Sequence, residues 1–158
     1  SLDLLAAPEV PVFDLPRVEG INVDAEESSW ADQGLRVPVL SGDDPFPAQA
    51  RVGWDDRGLL ILVTVHDETL EIAENPGALY EADSVEIFVS PVHHTSGPKV
   101  EYENRDVYQV LCAPDGNGIY VYDSRVGAKK ALTPTPEVRS QKIPGGYQVA
   151  ARIPWADL

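Results

Sequence analysis

Apolar and polar positions alternate in short bursts along this chain and never settle into a sustained helical stripe. Gln49 to His66 alternates up to Trp54, pauses at Asp55-Asp56-Arg57-Gly58, and resumes as a β-branched apolar run, which predicts a hairpin. Asp83 to Val89 predicts another strand, with Val85, Ile87 and Val89 on one face and Ser84, Glu86 and Phe88 on the other. Val107 to Ala113 and Ile119 to Tyr122 flank Pro114-Asp115-Gly116-Asn117-Gly118, a turn whose glycines and asparagine tolerate positive φ. Tyr147 to Ile153 alternates as a last strand between Pro144-Gly145-Gly146 and Pro154-Trp155. Asp24-Ala25-Glu26-Glu27 predicts one short helical turn, with Asp24 as its N-cap.

Many short strands between regular turn signals predict an all-β fold, an antiparallel β-sandwich of jelly-roll or immunoglobulin-like form. Residues 1–15, broken by Pro8 and Pro11, read as an extended lead-in, and residues 16–158 as the sandwich itself. Residues 91–106 form the longest irregular stretch, the kind of loop on which a β-scaffold carries function.

Composition narrows the partners. The chain has 158 residues, enough for one domain with a real core, and 14 prolines, which suit strands and turns better than helices. A formal net charge of -14 argues against nucleic acid and anionic membrane, both of which need a basic footprint. Surplus carboxylates suit solubility or Ca²⁺ ligation. Cys112 is the only cysteine, so no intrachain disulfide forms, and its apolar setting predicts a buried thiol.

Candidate chemistry is sparse. Asp83 and Glu86 lie three apart on a strand and point to opposite faces, a poor arrangement for the carboxylate pair of a glycosidase. The three histidines, His66, His93 and His94, come without the spacing of a metal site, and no phosphate-binding or nucleophile motif occurs. What remains is an aromatic ring beside planar polar groups, the pairing that a sugar's C–H face and hydroxyl edge require. Tyr80 with Glu81, Asp83 and Glu86 offers it, and Tyr102, Asn104, Arg105, Tyr108 and Gln109 extend a rim.

The order of motifs resembles the family 9 carbohydrate-binding modules, within the wider group of DOMON-like β-sandwiches. The resemblance runs from Val18-Glu19-Gly20-Ile21-Asn22-Val23-Asp24 and Trp30, through Val52-Gly53-Trp54-Asp55 and Gly58-Leu59-Leu60-Ile61, to Asp67. It is most specific in Tyr80 to Phe88 and in Gly145-Gly146-Tyr147 leading to Ile153-Pro154-Trp155. It implies a secreted, cell-surface or periplasmic non-catalytic module that binds polysaccharide or oligosaccharide and serves a neighbouring catalytic domain.

By this resemblance Tyr80 replaces a tryptophan that stacks on a sugar, and Glu86 matches a glutamate that bonds sugar hydroxyls. Trp30, Trp54 and Trp155 fall at framework positions. An arginine and an asparagine of the family's pattern fall where this chain has Val110, Leu111 and Cys112, so those contacts are expected to be missing. The family continues past Ile-Pro-Trp into strands bearing a second ring-clamping aromatic, expected to lie outside a chain ending at Leu158. Structural Ca²⁺ is a further implication, with Asp24, Glu26, Asp43, Asp44 and Asp67 as candidates by residue type. Two alternatives keep the fold: an accessory module that packs on a neighbouring domain without sugar, and a haem electron-transfer domain. The second is disfavoured because the chain has no methionine for a Met/His axial pair.

Overall fold

The computed structural model describes residues 12–41, 44–90, 107–116, 118–123 and 136–158. Eight strands form two antiparallel sheets: β1 (Leu35–Ser41), β2 (Asp44–Trp54), β3 (Gly58–His66), β4 (Val85–Val89), β5 (Tyr108–Cys112), β6 (Ile119–Asp123), β7 (Glu137–Ile143) and β8 (Gly146–Pro154). The five-stranded sheet has the order β1-β2-β3-β8-β7, and the three-stranded sheet the order β4-β5-β6. The expected all-β sandwich is the observed architecture.

One apolar core joins the sheets. Ile61, Val65, Tyr147, Val149, Ala151 and Ile153 meet Val85, Ile87, Tyr108, Val110, Cys112 and Val121 in a single buried cluster. Each set occupies alternate positions of its strands, so the period-two pattern supplies the two inner faces. The β2–β3 hairpin turns where the sequence predicts it. Asp55 N donates to Gly58 O at 3.0 Å, and the Asp55 carboxylate accepts from Arg57 N and Gly58 N at 2.8 and 3.0 Å.

The strands that pattern reading leaves out are β1 and β7, the two edges of the five-stranded sheet. Pro38 interrupts β1, whose register shifts between Pro38 and Leu40, and prolines are tolerated at such an edge. β7 reads Glu-Val-Arg-Ser-Gln-Lys-Ile, too polar to announce itself as a strand.

The outer face of the five-stranded sheet is not free. Residues 16–34 run across it and bury Val18, Ile21, Ala25 and Trp30 against Leu60, Leu62 and Ala150. The approach is close at Gly53, where a Cβ would sit 2.7 Å from the Val18 side chain. Two buried arginines fasten this strap. Arg51 donates to the Ala31 and Gln33 carbonyls at 2.7 and 3.2 Å and to Glu27 at 3.0 Å. Arg152 donates to the Ile21 carbonyl at 3.0 Å, to Asp55 at 3.0 Å and to Glu137 at 2.9 Å. The predicted helical turn lies within the strap as a 3₁₀ segment, Glu27–Trp30, and it starts later than expected. Glu26 holds the N-cap position, while Asp24 accepts from Glu26 N at 3.0 Å and from the Ser29 hydroxyl at 2.5 Å.

Candidate functional site

The outer face of the three-stranded sheet is where the polar and aromatic candidates gather. Strand alternation turns Val85 and Ile87 inward and leaves Glu86 and Phe88 exposed. Pairing then aligns two outward rows, Glu86–Leu111–Tyr120 and Phe88–Gln109–Tyr122. The Gln109 side-chain amide donates to the Glu86 carboxylate at 2.9 Å. A hydrogen bond to an ionised acceptor is among the stronger kinds, and here it fixes the carboxylate while leaving lone pairs for a ligand hydroxyl.

One end of this face is capped by a 3₁₀ segment, Pro76–Glu81. Asn75 starts it by accepting from Gly77 N at 2.9 Å, with proline in the first turn, where a missing N–H costs nothing. Leu79 anchors it, buried against Leu111, Ala113 and Tyr120. The next residue, Tyr80, is thereby held on a fixed turn with 64% of its surface exposed.

The structure thus brings Glu86 and Gln109 to one face, and Tyr80 lies on the turn that Leu79 anchors at one end of it. Asp83 falls elsewhere: on strand parity it belongs with Val85 and Ile87. Its carboxylate accepts from Glu71 N at 2.7 Å, and its N–H donates to Glu71 O at 3.0 Å. Tyr108, read from sequence as part of the rim, is buried with its hydroxyl 3.1 Å from Asp157. Tyr102, Asn104 and Arg105 lie outside the described residues. Of Val110, Leu111 and Cys112, Val110 and Cys112 point into the core, and the outward pair on β5 is Gln109 and Leu111.

Phe88, Tyr120 and Tyr122 are the outward residues that sequence reading did not assign to the site. The three tryptophans sit apart from this face. Trp30 is buried under the strap. Trp54 donates its indole N–H to Leu15 O at 2.8 Å, with the Arg17 guanidinium 6.0 Å from its ring. Trp155 donates to Asp55 O at 2.8 Å and leaves 44% of its surface exposed.

Of the calcium candidates, Asp24, Glu26 and Asp67 have described side chains. Among the described residues no three His, Cys, Asp or Glu side chains group where an ion would sit. Asp24 already accepts from Glu26 N and Ser29, and Asp67 accepts from Thr69 N and its hydroxyl at 2.9 and 3.1 Å. Glu26 accepts from Ser28 at 3.3 Å. Asp44 is placed by its backbone, paired with Ser41, and Asp43 lies outside the described residues. Among the described side chains, Asp24, Glu26 and Asp67 do not assemble a six-to-eight-oxygen shell.

Among the described residues, three groups have perturbed acidities. Burial alone would raise the Asp55 pKa, but the Arg57 and Gly58 N–H groups and the Arg152 guanidinium together hold it below the usual carboxylate range. Burial pushes the Cys112 thiol up to about 12. Tyr147 is pushed up to about 12 by burial and by the nearby Asp83 and Asp67 charges. None of these groups lies on the two outward rows. Glu86 is the one carboxylate on those rows, so they lack the paired carboxyls of glycoside hydrolysis.

Comparison with known proteins agrees with this geometry. A family model described as "Carbohydrate family 9 binding domain-like" matches residues 24–158. Over 118 residues, 74% of this chain, there is 30% identity to Exoglucanase XynX of Acetivibrio thermocellus. Over 147 residues, 92% of the chain, there is 29% identity to Endo-1,4-beta-xylanase A of Thermotoga neapolitana. The chain spans only 10% and 13% of the lengths of those two proteins. Two solved structures of a family 9 carbohydrate binding module from Caldicellulosiruptor kristjanssonii share the fold. The glucose complex gives a TM-score of 0.59 at 21% identity, covering 89% of this chain and 68% of that one. The cellotriose complex gives 0.55 at 20%, covering 88% and 64%. The chain belongs to the carbohydrate family 9 binding domain-like family, and it is a non-catalytic carbohydrate-binding module of β-sandwich fold.

Proposed function

We propose that the module binds polysaccharide or oligosaccharide on the outer face of β4-β5-β6 and holds an attached polysaccharide-degrading enzyme near its substrate. Tyr80 stacks on the C–H face of a sugar ring, and Glu86, steadied by Gln109, accepts from the ring's hydroxyls. The observation that carries this reading is the Glu86–Gln109 bond on an outward face whose capping turn exposes Tyr80. The two curated relatives are named for activity on glucan and xylan, which makes neutral β-linked chains the first ligands to test.

The working module is residues 16–158, because Pro16 O accepts from Trp54 N at 3.1 Å and Val18 is already buried. Residues 1–15 act as the lead-in. A secreted, periplasmic or cell-surface location follows from such a role, and a place among DOMON-like sandwiches is part of the same reading.

Isothermal calorimetry against soluble glucan and xylan oligosaccharides tests the proposal. Tyr80→Ala is expected to weaken binding by about 1–3 kcal/mol, by analogy with base–aromatic stacking. Glu86→Gln, which keeps shape but removes the charge, should also weaken it while the fold stays intact. A wild-type module that binds none of these sugars would remove the reading.

A further inference from the structure

We infer that Gly118 is a positioning residue for sugar binding: the space it leaves seats Leu79, and through Leu79 it sets where the Tyr80 ring stands relative to Glu86. This rests on the carbohydrate-binding reading above and adds a residue that acts only through another.

The Pro114-to-Gly118 turn uses its two glycines differently. Gly116 has a φ of +76°, a conformation that favours glycine. Gly118 lies outside that left-handed region, so its backbone accepts an ordinary side chain. What it supplies is room. A Cβ at this position would sit 3.0 Å from Leu79 Cδ2 and 3.3 Å from Ala113 Cβ. Non-bonded carbons rest about 3.5–4.0 Å apart, so even a methyl group here displaces Leu79 by about 0.5–1 Å.

Little around Leu79 can absorb that shift. The side chain is 3% exposed and already packed on Leu111, Ala113 and Tyr120. The turn that carries it is tied internally, Ala78 N donating to Asn75 O at 2.9 Å and Ala82 N to Leu79 O at 3.4 Å. Its flanks are closed by the Glu71–Asp83 pair of bonds at 2.7 and 3.0 Å. Tyr80 follows directly, and among the described residues no hydrogen bond or ion pair holds its side chain. The place of the ring is therefore inherited from Leu79. Glu86 is fixed separately, by Gln109 on β5. Moving Leu79 thus changes the spacing between the ring and the carboxylate while the carboxylate stays put. Binding groups need placement to within about 0.5 Å, which a shift of this size exceeds.

NMR titration with cellotriose and xylotriose, carried to tens of millimolar, tests this on wild type, Gly118→Ala, Tyr80→Ala and the double variant. Gly118→Ala should bind about fivefold more weakly, the low end of what losing a stacked ring costs. It should shift the Tyr80 ring protons before any sugar is added. In the Tyr80→Ala background the same substitution should cost nothing further, and in a Glu86→Gln background it should cost its full fivefold, an asymmetry that general loosening of the fold would not produce. Thermal melts check folding. Leu79→Val, which trims the same contact from the other side, gives a second reading if Gly118→Ala does not fold, with the same dependence on Tyr80 expected. Wild-type affinity and unmoved Tyr80 ring protons in folded Gly118→Ala, or an equal loss with and without Tyr80, would overturn the inference and leave Tyr80 and Glu86 as the site. A wild-type module that binds neither sugar would remove the underlying reading instead, while the Tyr80 ring shifts would still report whether Gly118 places the ring.

Discussion

Replacing Arg152 with methionine removes a charge that holds the strap to the five-stranded sheet while keeping much of the side chain's apolar stem. In the native protein this guanidinium is 4% exposed and bonds three partners on three different segments: Ile21 O, Asp55 and Glu137. Breaking a buried ion pair from one side costs about 3–5 kcal/mol, because the stranded partner keeps its desolvation penalty. The partners here are unequal. Glu137 is 47% exposed and rehydrates, Asp55 is 21% exposed and rehydrates only in part, and the Ile21 carbonyl loses its donor inside the protein.

The low end, about 3 kcal/mol at pH 7, is therefore expected. Urea unfolding should show it as a midpoint lowered by about 1–2 M. The pH dependence follows from Asp55. Its folded pKa is depressed, so the pairing stabilises above the usual carboxylate pKa and is lost as pH falls through the folded value. The gap between wild type and Arg152→Met should accordingly narrow below about pH 4. A double-mutant cycle with Asp55→Asn should return a coupling of about 1 kcal/mol or more. Sugar affinity should not change, since the strap lies on the opposite side of the sandwich from Glu86. A loss below about 1 kcal/mol would mean the pair behaves like an exposed one and the clamp argument is wrong.

Trp30→Ala should destabilise by about 3–5 kcal/mol by emptying the space under the strap, again without moving sugar affinity, as paired melts and calorimetry would show. Alkaline titration should reveal a falling stability. Cys112 and Tyr147 have raised pKa values of about 12 when folded, so their contribution is complete below pH 9 and is lost as pH rises towards 12. At neutral pH, Cys112 should resist thiol reagents until the protein unfolds, read by reagent uptake against a denaturant series. Asp83→Ala should cost about 1–2 kcal/mol of stability through the lost Glu71 bond, and much less in sugar affinity than Tyr80→Ala, if its role is to pin the loop before β4.

The parts of the fold that were legible in the sequence are those whose signal is local. β2, β3, β4, β5, β6 and β8 announce themselves by alternation and by bounding turns, and the Asp55-to-Gly58 turn carries its own capping carboxylate. β1 and β7 escaped because edge strands are under the opposite pressure: a proline, a bulge and a run of polar residues protect an open edge and erase the pattern. The strap escaped for a different reason. Nothing local says that Trp30 and Val18 cover Leu60 and Ala150, residues far along the chain, although an unbroken apolar run in β3 was the available hint that both of its faces are buried. At the site, Tyr80 and Glu86 were readable from one segment. Gln109 and Tyr108 differ only in parity, and taking Val110 and Cys112 as inward turns Gln109 outward and Tyr108 into the core. Tyr122 needed the register between β5 and β6, which is a pairing property and cannot be read from either strand alone.

The same register argument explains why the proposed binding face lies where it does. A sandwich has two outer faces, and here the strap closes one of them, turning β3 and β8 into strands buried on both sides. That closure covers much of the outer face of the five-stranded sheet and commits Arg51, Arg152, Gln141 and Gln148 to internal partners. Among the described residues, the turn anchored by Leu79 covers the Leu111 end of the three-stranded sheet, and that turn carries Tyr80. On the proposed reading, stability and binding are carried by opposite sides of one core. Substitutions at Trp30 or Arg152 should change how firmly the sandwich holds, and substitutions at Tyr80 or Glu86 should change what it holds. A variant that shifted both equally would show that the core transmits strain between its two outer faces.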